Sequence, residues 1–307
     1  MDQAKELLKA HPVRASRRQK KAFRLALLSY VRSLHYSAYV ESGSLGGRNV
    51  VIGDPRTARY LICTHYDTCR NVPVPYMAAP CSLSGSLLAL IRQCFLILLL
   101  PLVLTAVLLI FLDLPGDRYW IFPLLFLVSV LSLLFSKTNP FSLSHFDGSI
   151  LTLLAVAAGL PVGQRKKVCF LLLDQGEQGF LGARSYVKSH KGDLQNQILL
   201  DLSGAGRGDV LVFSPGQSLQ KDEQLLKSLL KLTGSYGTKQ IRLCSTGFHF
   251  FFSDGTRFPR HIQAAALEKR GRHLCIRRDP GNPGVDEQNV NLLQAAVISL
   301  ICCDAVK

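Results

Sequence analysis

The sequence lacks the cysteine patterns that hold small secreted domains or zinc ribbons together. Its 307 residues include nine cysteines, an odd number, and none of them forms a CxxC pair. Neither a disulfide framework nor a cysteine zinc site is therefore indicated. Residues 1–40 carry many charges and no continuous apolar run, so a secretory signal peptide is not predicted. We expect reduced thiols and a globular part in the cytosol.

Acidic residues are few: the sequence has 21 Asp and Glu compared with 36 Lys and Arg, which gives a formal net charge of +15. Such an excess suits nucleic acid or an anionic lipid surface. The basic residues are scattered rather than gathered into a patch interleaved with aromatic residues, so nucleic acid is not an expected partner. A hydrophobic content of 48% allows a substantial core and argues against disorder.

Charge is missing altogether from residues 93–112 and 119–136. Each stretch is about 18 to 20 residues long, which is enough for a helix to cross a hydrocarbon core of about 30 Å. The pair predicts a two-helix transmembrane hairpin, which we assign to residues 86–136, with the lipid bilayer as a partner. The alternative interpretation is a very hydrophobic helical pair buried inside a soluble domain.

The basic residues around the hairpin predict its orientation. Arg70, Arg92 and Lys137 lie near its two ends, whereas Arg118 stands alone in its turn. By the positive-inside rule, the globular domain and both termini of this integral membrane protein are then cytoplasmic.

Outside the hairpin, residues 1–85 and 137–307 alternate between helical and strand patterns. Residues 16–35 predict a helix, and residues 48–53 and 60–64 predict two strands joined as a hairpin. This alternation is typical of one discontinuous α/β domain with an open, mostly parallel sheet and helices on both faces. Further helices are predicted at 150–160, 182–190, 222–233 and 290–302, and further strands at 167–173, 198–202 and 209–213.

Polar residues follow several of these strands or begin a helix, where open α/β sheets place their sites. Imidazole and carboxylate groups are ligands that zinc prefers, and an Asp two residues after a His is placed to orient it. Each residue alone also has an ordinary structural alternative, such as a helix N-cap, a satisfied core histidine or a solvated loop acid. The candidates are His65 with its orienting Asp67, Asp147, Glu177 and Asp201.

The order of these residues resembles the co-catalytic zinc aminopeptidases related to bacterial leucyl aminopeptidases and to glutaminyl cyclases. Residues 64–68 (THYDT) resemble the family's strand that ends in a zinc-binding His and its partner Asp. Residues 146–148 (FDG) resemble the segment with the metal-bridging Asp. The most specific match is residues 170–182 (FLLLDQGEQGFLG), which align without a gap to the strand and paired glutamates. Further similarity covers residues 49–53, 198–209, 253–258 and 285–290.

The resemblance implies one metal position formed by His65, Asp147 and Asp201, and a second formed by Asp147 and Glu177. Two departures weaken it. Gly176 stands where the family has the glutamate that acts as general base, and Arg278 stands where it has its final zinc-binding His. Glycine cannot take a proton, and arginine does not normally ligate a metal.

Replacements for the lost groups are hard to find. Asp174 lies two residues before Gly176, one step deeper on the strand, and is a poor substitute for the base. His273 could act as the final ligand if the loop takes another register. At most one zinc ion, or none, is therefore expected. Arg278 is hypothesised to pair with Glu177 in place of the missing ion.

Two functions follow from this pattern. The first is a membrane-anchored, zinc-dependent aminopeptidase-like hydrolase of peptide N-termini, with catalysis impaired to the point of a pseudoenzyme. Loss of a general base typically costs about 10²- to 10⁴-fold in rate, so metal alone could sustain weak hydrolysis. The second is a non-catalytic, membrane-bound binding or scaffolding module on the same fold.

Overall fold

The structure, a computed structural model, describes most of the chain outside the predicted hairpin. The described residues are 1–43, 46–68, 76–95, 144–176, 179–249, 251, 253–278 and 285–303, with isolated helical positions between 99 and 128. The helices are α1 (Asp2–Ala10), α2 (Arg17–Ser33), α3 (Leu83–Cys94), α4 (Ser144–Gly159), α5 (Leu181–Ser189), α6 (Glu223–Lys231) and α7 (Glu287–Cys303). The strands are β1 (Ala38–Ser42), β2 (Arg48–Ile52), β3 (Tyr60–His65), β4 (Tyr76–Ala78), β5 (Val168–Leu173), β6 (Ile198–Gly204), β7 (Val210–Pro215), β8 (Gly234–Tyr236), β9 (Lys239–Leu243), β10 (His261–Arg270) and β11 (His273–Arg278).

All the described strands join one mixed sheet with the order β1-β2-β5-β3-β6-β10-β7-β9-β8, while β11 pairs with β10 and with β4. The four neighbouring strands β5, β3, β6 and β10 run parallel. Antiparallel pairing begins on either side of them, at β2 and at β7. The predicted α/β class with a parallel centre is confirmed.

The predicted hairpin between residues 48–53 and 60–64 is wrong. β5 lies between β2 and β3, antiparallel to the first and parallel to the second. The residues of β5 are buried throughout, as in a strand with partners on both edges. The hairpin that opens the sheet is instead formed by β1 and β2, with Ala38 opposite Ile52.

Both faces of the sheet are covered, because alternate residues of a strand point to opposite sides. In β5, Phe170 and Leu172 join the larger core, which includes buried residues of α1, α2, α4 and α7. Leu171 and Leu173 join the smaller core, which includes Tyr186 of α5. The expectation of helices on both faces is therefore confirmed.

The predicted helices and strands before residue 234 mostly lie within a few residues of the observed ones. α2 begins where Ser16 forms a capping box with Gln19, which satisfies backbone N–H groups at the helix start. Residues 234–275, for which no helix or strand was predicted, contain β8 to β10 and the start of β11. The central strand β10 was missed because its run of alanines has little intrinsic strand preference.

The predicted transmembrane hairpin lies largely outside the described residues. No helix among the residues that are described is long and apolar enough to cross a membrane. The helix that precedes the hairpin, α3, is described. It begins at Leu83, and Leu88, Ile91 and the following residue Phe95 are more than half exposed. The division into a domain of residues 1–85 and 137–307 and an insertion of residues 86–136 stays a prediction.

Candidate metal centre

The sheet brings most of the predicted residues to one edge. His65 ends β3, and Asp201 lies in the neighbouring strand β6, where it is in register with Cys63. Gly176 follows β5 on the other side of β3, and its N–H donates to Asp67. Asp147 lies in the first turn of α4, which packs against β3 and β6. This is the convergence expected at the carboxyl ends of parallel strands.

His65 is buried, and its Nδ1 lies 2.8 Å from Oδ2 of Asp254. Asp254 begins a short 3₁₀ turn (Asp254–Arg257) before β10 and is fully buried. The carboxylate of Asp67 accepts a hydrogen bond of 3.0 Å from the Gly176 N–H. The described partner of the imidazole is thus Asp254, and the orienting role of Asp67 stays a prediction.

Asp201 is surrounded by donors from its own chain. Its Oδ1 accepts from the Ser203 N–H at 2.8 Å, and its Oδ2 accepts from the Gly255 N–H at 2.7 Å and from the Ser253 hydroxyl. The Ser253 hydroxyl in turn accepts from Nε2 of Gln263 at 2.7 Å. A Cβ at Gly255 would lie 2.7 Å from the Asp201 carboxylate, so glycine permits this backbone approach. These contacts stabilise the carboxylate without a metal.

Asp147 pairs with a guanidinium. Nη2 of Arg14 lies 2.7 Å from Oδ1 of Asp147, and Arg14 has no exposed surface. Nε of Arg14 donates to the carbonyl of Tyr66, and Nη1 donates to the carbonyl of His11, both at 2.7 Å. A cation from the N-terminal segment is therefore paired with the carboxylate to which the family resemblance assigns metal.

A second buried cation meets Asp174. Nζ of Lys20, on α2, lies 2.5 Å from Oδ1 of Asp174, and Arg24 lies 4.0 Å from its Oδ2. The backbone N–H of Arg48 also donates to that Oδ2 at 3.0 Å. The Asp174 carboxylate is thus engaged by cations and by backbone amides, as expected of a residue in a structural role. This agrees with the expectation that Asp174 is a poor substitute for the base.

Gly176, at the position of the general base, lies against the imidazole. A Cβ built on Gly176 would lie 2.5 Å from Cγ and 2.7 Å from Cβ of His65. Such contacts essentially never occur between real side chains, so a larger residue here requires His65 or the backbone to move. The packing around Gly176 therefore leaves no room for the side chain that the family has at this position.

The described residues do not fit a zinc ion in this arrangement. Zinc requires three or four lone pairs directed at one point. In the described part of the chain, no three His, Cys, Asp or Glu residues form such a group. The nearby Cys63 thiol is fully buried, and burial and then the Asp201 carboxylate raise its pKa well above the usual value. Glu177 and the side chain of Arg278 lie outside the described residues, so their predicted pairing stays a prediction.

The alternative final ligand, His273, starts β11, next to the base of α3. Its Nδ1 would lie 2.8 Å from a Cβ at Gly85. No described contact joins it to His65, Asp147 or Asp201. Its role as a replacement ligand therefore stays a prediction.

Sequence reasoning missed the partners Arg14, Lys20 and Asp254. Arg14 and Lys20 belong to a charged N-terminal segment whose composition suggests a solvated surface. Asp254 was included only as part of a similar segment. Arg14 and Asp147 are 133 residues apart, and no local spacing connects them.

Part of the sequence, including several of the residues described above, matches a known peptidase family. Residues 148–276 match the sequence profile of peptidase family M28. These residues are therefore similar to an M28 peptidase domain. The match begins just after Asp147 and includes Gly176, Asp201 and Asp254. No curated protein sequence gives a match.

Solved structures share the fold of this chain at low sequence identity. The Legionella pneumophila LapA aminopeptidase superposes with a TM-score of 0.56 at 10% identity, covering 98% of this chain and 68% of that one. A glutaminyl cyclase from Porphyromonas gingivalis gives 0.53 at 13% identity, covering 99% and 98%. A Zn-dependent exopeptidase from Parabacteroides distasonis gives 0.52 at 14% identity, covering 98% and 97%. The predicted resemblance is confirmed, and at these identities the structures establish the fold alone.

Proposed function

We propose that this chain is a membrane-anchored M28-type module whose zinc-dependent hydrolysis is impaired and whose remaining role is binding. The observation that carries the proposal is Gly176. General-base catalysis needs a group within hydrogen-bond reach of the attacking water, and position 176 has neither a side chain nor room for one beside His65. The M28 match supports peptidase ancestry, and peptide N-termini are the ligand class that follows from it.

The proposed loss of hydrolysis has a second support in the charge pattern. Asp147 and Asp174 each face a buried cation from residues 14–24, and Asp201 accepts three hydrogen bonds from its own chain. Side chains that would ligate metal or move protons in a hydrolase are thus committed to internal partners. Hydrogen bonds and ion pairs of this kind hold these three carboxylates in place without an ion.

Turnover tests this proposal directly. Purified full-length protein in detergent is incubated with aminoacyl-4-nitroanilides and with a glutaminyl peptide, each with and without added ZnCl₂. We expect no turnover or cyclisation above that of a His65→Ala variant. Zinc-dependent turnover that His65→Ala abolishes would overturn the proposal in favour of an active M28 hydrolase.

The membrane anchor is the other part of the proposal. Residues 93–112 and 119–136 are uncharged, and α3, which leads into them, exposes an apolar surface beside Arg92. The described position Ile110 within the first stretch is 77% exposed, an arrangement that is unfavourable in water and suits lipid. We infer that residues 86–136 insert as a hairpin and that the M28 domain and both termini are cytoplasmic.

Membrane extraction tests the anchor. The full chain is expected to stay in the pellet after carbonate washing and to enter detergent. The matched variant has Leu104 and Leu108 changed to Arg. These charges disfavour the anchor, because a charge at the centre of a span costs several kcal/mol in insertion. Release of the unaltered chain by carbonate would contradict the anchor.

A further inference from the structure

Arg14 is a fully buried charge whose partners are all supplied by the fold. Its three guanidinium nitrogens donate to Asp147, to the carbonyl of Tyr66 and to the carbonyl of His11, each at 2.7 Å. Its Cζ lies 5.1 Å from the ring centroid of Phe23, a cation–π contact. A buried charge is tolerated only where it is paired and hydrogen-bonded, and this guanidinium meets both conditions.

The backbone of Arg14 is fixed to the same region. The Arg14 N–H donates to Oγ1 of Thr68 at 3.1 Å, and the Thr68 N–H donates back to the Arg14 carbonyl at 3.3 Å. Thr68 belongs to the segment that follows His65 on β3. On the other side, the capping box at Ser16 starts α2 two residues later. The side chain is therefore held from both directions.

We propose that the Arg14 guanidinium is the permanent cation of this site and that it replaces a metal ion at Asp147. The inference rests on the proposed function and adds the group that makes metal unnecessary. A guanidinium is always protonated, so the compensation does not depend on pH in the ordinary range or on metal supply. A divalent ion at the same carboxylate would face the Arg14 charge at close range in a poorly screened interior.

This replacement predicts a reciprocal response to zinc. In the parent chain, ZnCl₂ should leave the melting temperature unchanged, because a ligand stabilises a protein only when it binds the folded state. Arg14→Met removes the cation but keeps a long apolar side chain. It should lower the melting temperature, and zinc should recover part of the loss by binding Asp147. Arg18→Met, which removes an exposed charge on α2, is the matched control and should behave like the parent.

A double variant keeps the test valid if Arg14→Met folds poorly. Arg14→Met with Asp147→Leu removes both charges, so it should regain stability relative to the single variant and should not respond to zinc. The readouts are thermal unfolding and zinc binding by calorimetry, in the full chain in detergent.

The contrary outcomes are specific. Stabilisation of the parent chain by ZnCl₂, or an Arg14→Met variant as stable as Arg18→Met, would overturn the inference. Peptide turnover by a chain that does not bind zinc would contradict the proposed function and leave the role of Arg14 standing. The two ideas can therefore fail separately.

Discussion

Restoring the missing side chain at position 176 should harm the protein rather than repair it. In the smallest change, Gly176→Ala, the new Cβ would lie 2.5 Å from Cγ of His65, and the nearest atoms all belong to that imidazole side chain. His65 is buried and bonded to Asp254, so it cannot move without disturbing a buried ion pair or hydrogen bond. The strain therefore has to be shared by the backbone after β5.

The magnitude follows from small-to-large substitutions in packed sites, which cost about 1 to 3 kcal/mol. Replacing glycine by alanine also restricts the unfolded chain, which stabilises the protein by about 0.4 to 1 kcal/mol where the conformation allows it. The steric cost exceeds this stabilisation. For a domain of this size, each kcal/mol corresponds to roughly 2 to 4 °C in melting temperature, so a loss of several degrees is expected.

Thermal unfolding monitored by circular dichroism measures this loss. Gly163→Ala is the matched control, because it makes the same glycine-to-alanine substitution at a position where a Cβ meets nothing within 4 Å. It should leave the melting temperature unchanged or raise it slightly. Gly176→Glu should lose at least as much stability as Gly176→Ala and gain no peptidase activity. A Gly176→Glu variant that is stable and hydrolyses aminoacyl amides would refute the reasoning.

Three other predictions concern separate parts of the molecule. Lys20→Ala leaves the buried Asp174 carboxylate without its closest cation and should cost about 3 to 5 kcal/mol in urea unfolding, whereas Lys21→Ala on the exposed side of α2 should cost little. The Cys81 thiol, hydrogen-bonded to Cys244, lowers the pKa of Cys244 to about 6, with further contributions from Thr246 and His249. Iodoacetamide labelling of Cys244 should therefore reach its plateau about 2.5 pH units below that of an ordinary thiol, whose pKa is about 8.5. Labelling that keeps rising to about pH 8.5 would contradict this. A Cys placed at Gly116 should be labelled by an impermeant reagent in intact cells, and labelling only after permeabilisation would reverse the proposed topology.

The sequence predicted the parts of the fold that depend on local pattern. The helical spacing of residues 16–35 and the apolar run of β5 were sufficient to place α2 and β5. The neighbours of β2 could not be predicted, because its pairing with β5 joins segments about 120 residues apart, as Val50 opposite Leu172 shows. β10 was missed because its alanines become strand residues through tertiary pairing rather than through propensity.

The candidate site shows the same division. The candidates His65, Asp147, Gly176 and Asp201 were selected by their order and by their similarity to a family. The parallel strands and α4 bring them to one end of the sheet, and their role as a metal site stays a prediction. Arg14 could not be selected in this way, because a buried arginine has the same sequence signature as an exposed one. Its burial and its hydrogen bonds with Tyr66, His11 and Asp147 distinguish it in the structure.

In the proposed site, a guanidinium and not zinc compensates the charge of Asp147. Diffraction from crystals of the full chain grown in ZnCl₂, with data collected on both sides of the zinc absorption edge, tests it most directly. We expect Arg14 to stay within hydrogen-bond distance of Asp147 and no anomalous peak to lie within bonding distance of that carboxylate. A zinc peak bonded to Asp147, with His65 or Asp201 as a further ligand and Arg14 displaced, would contradict it.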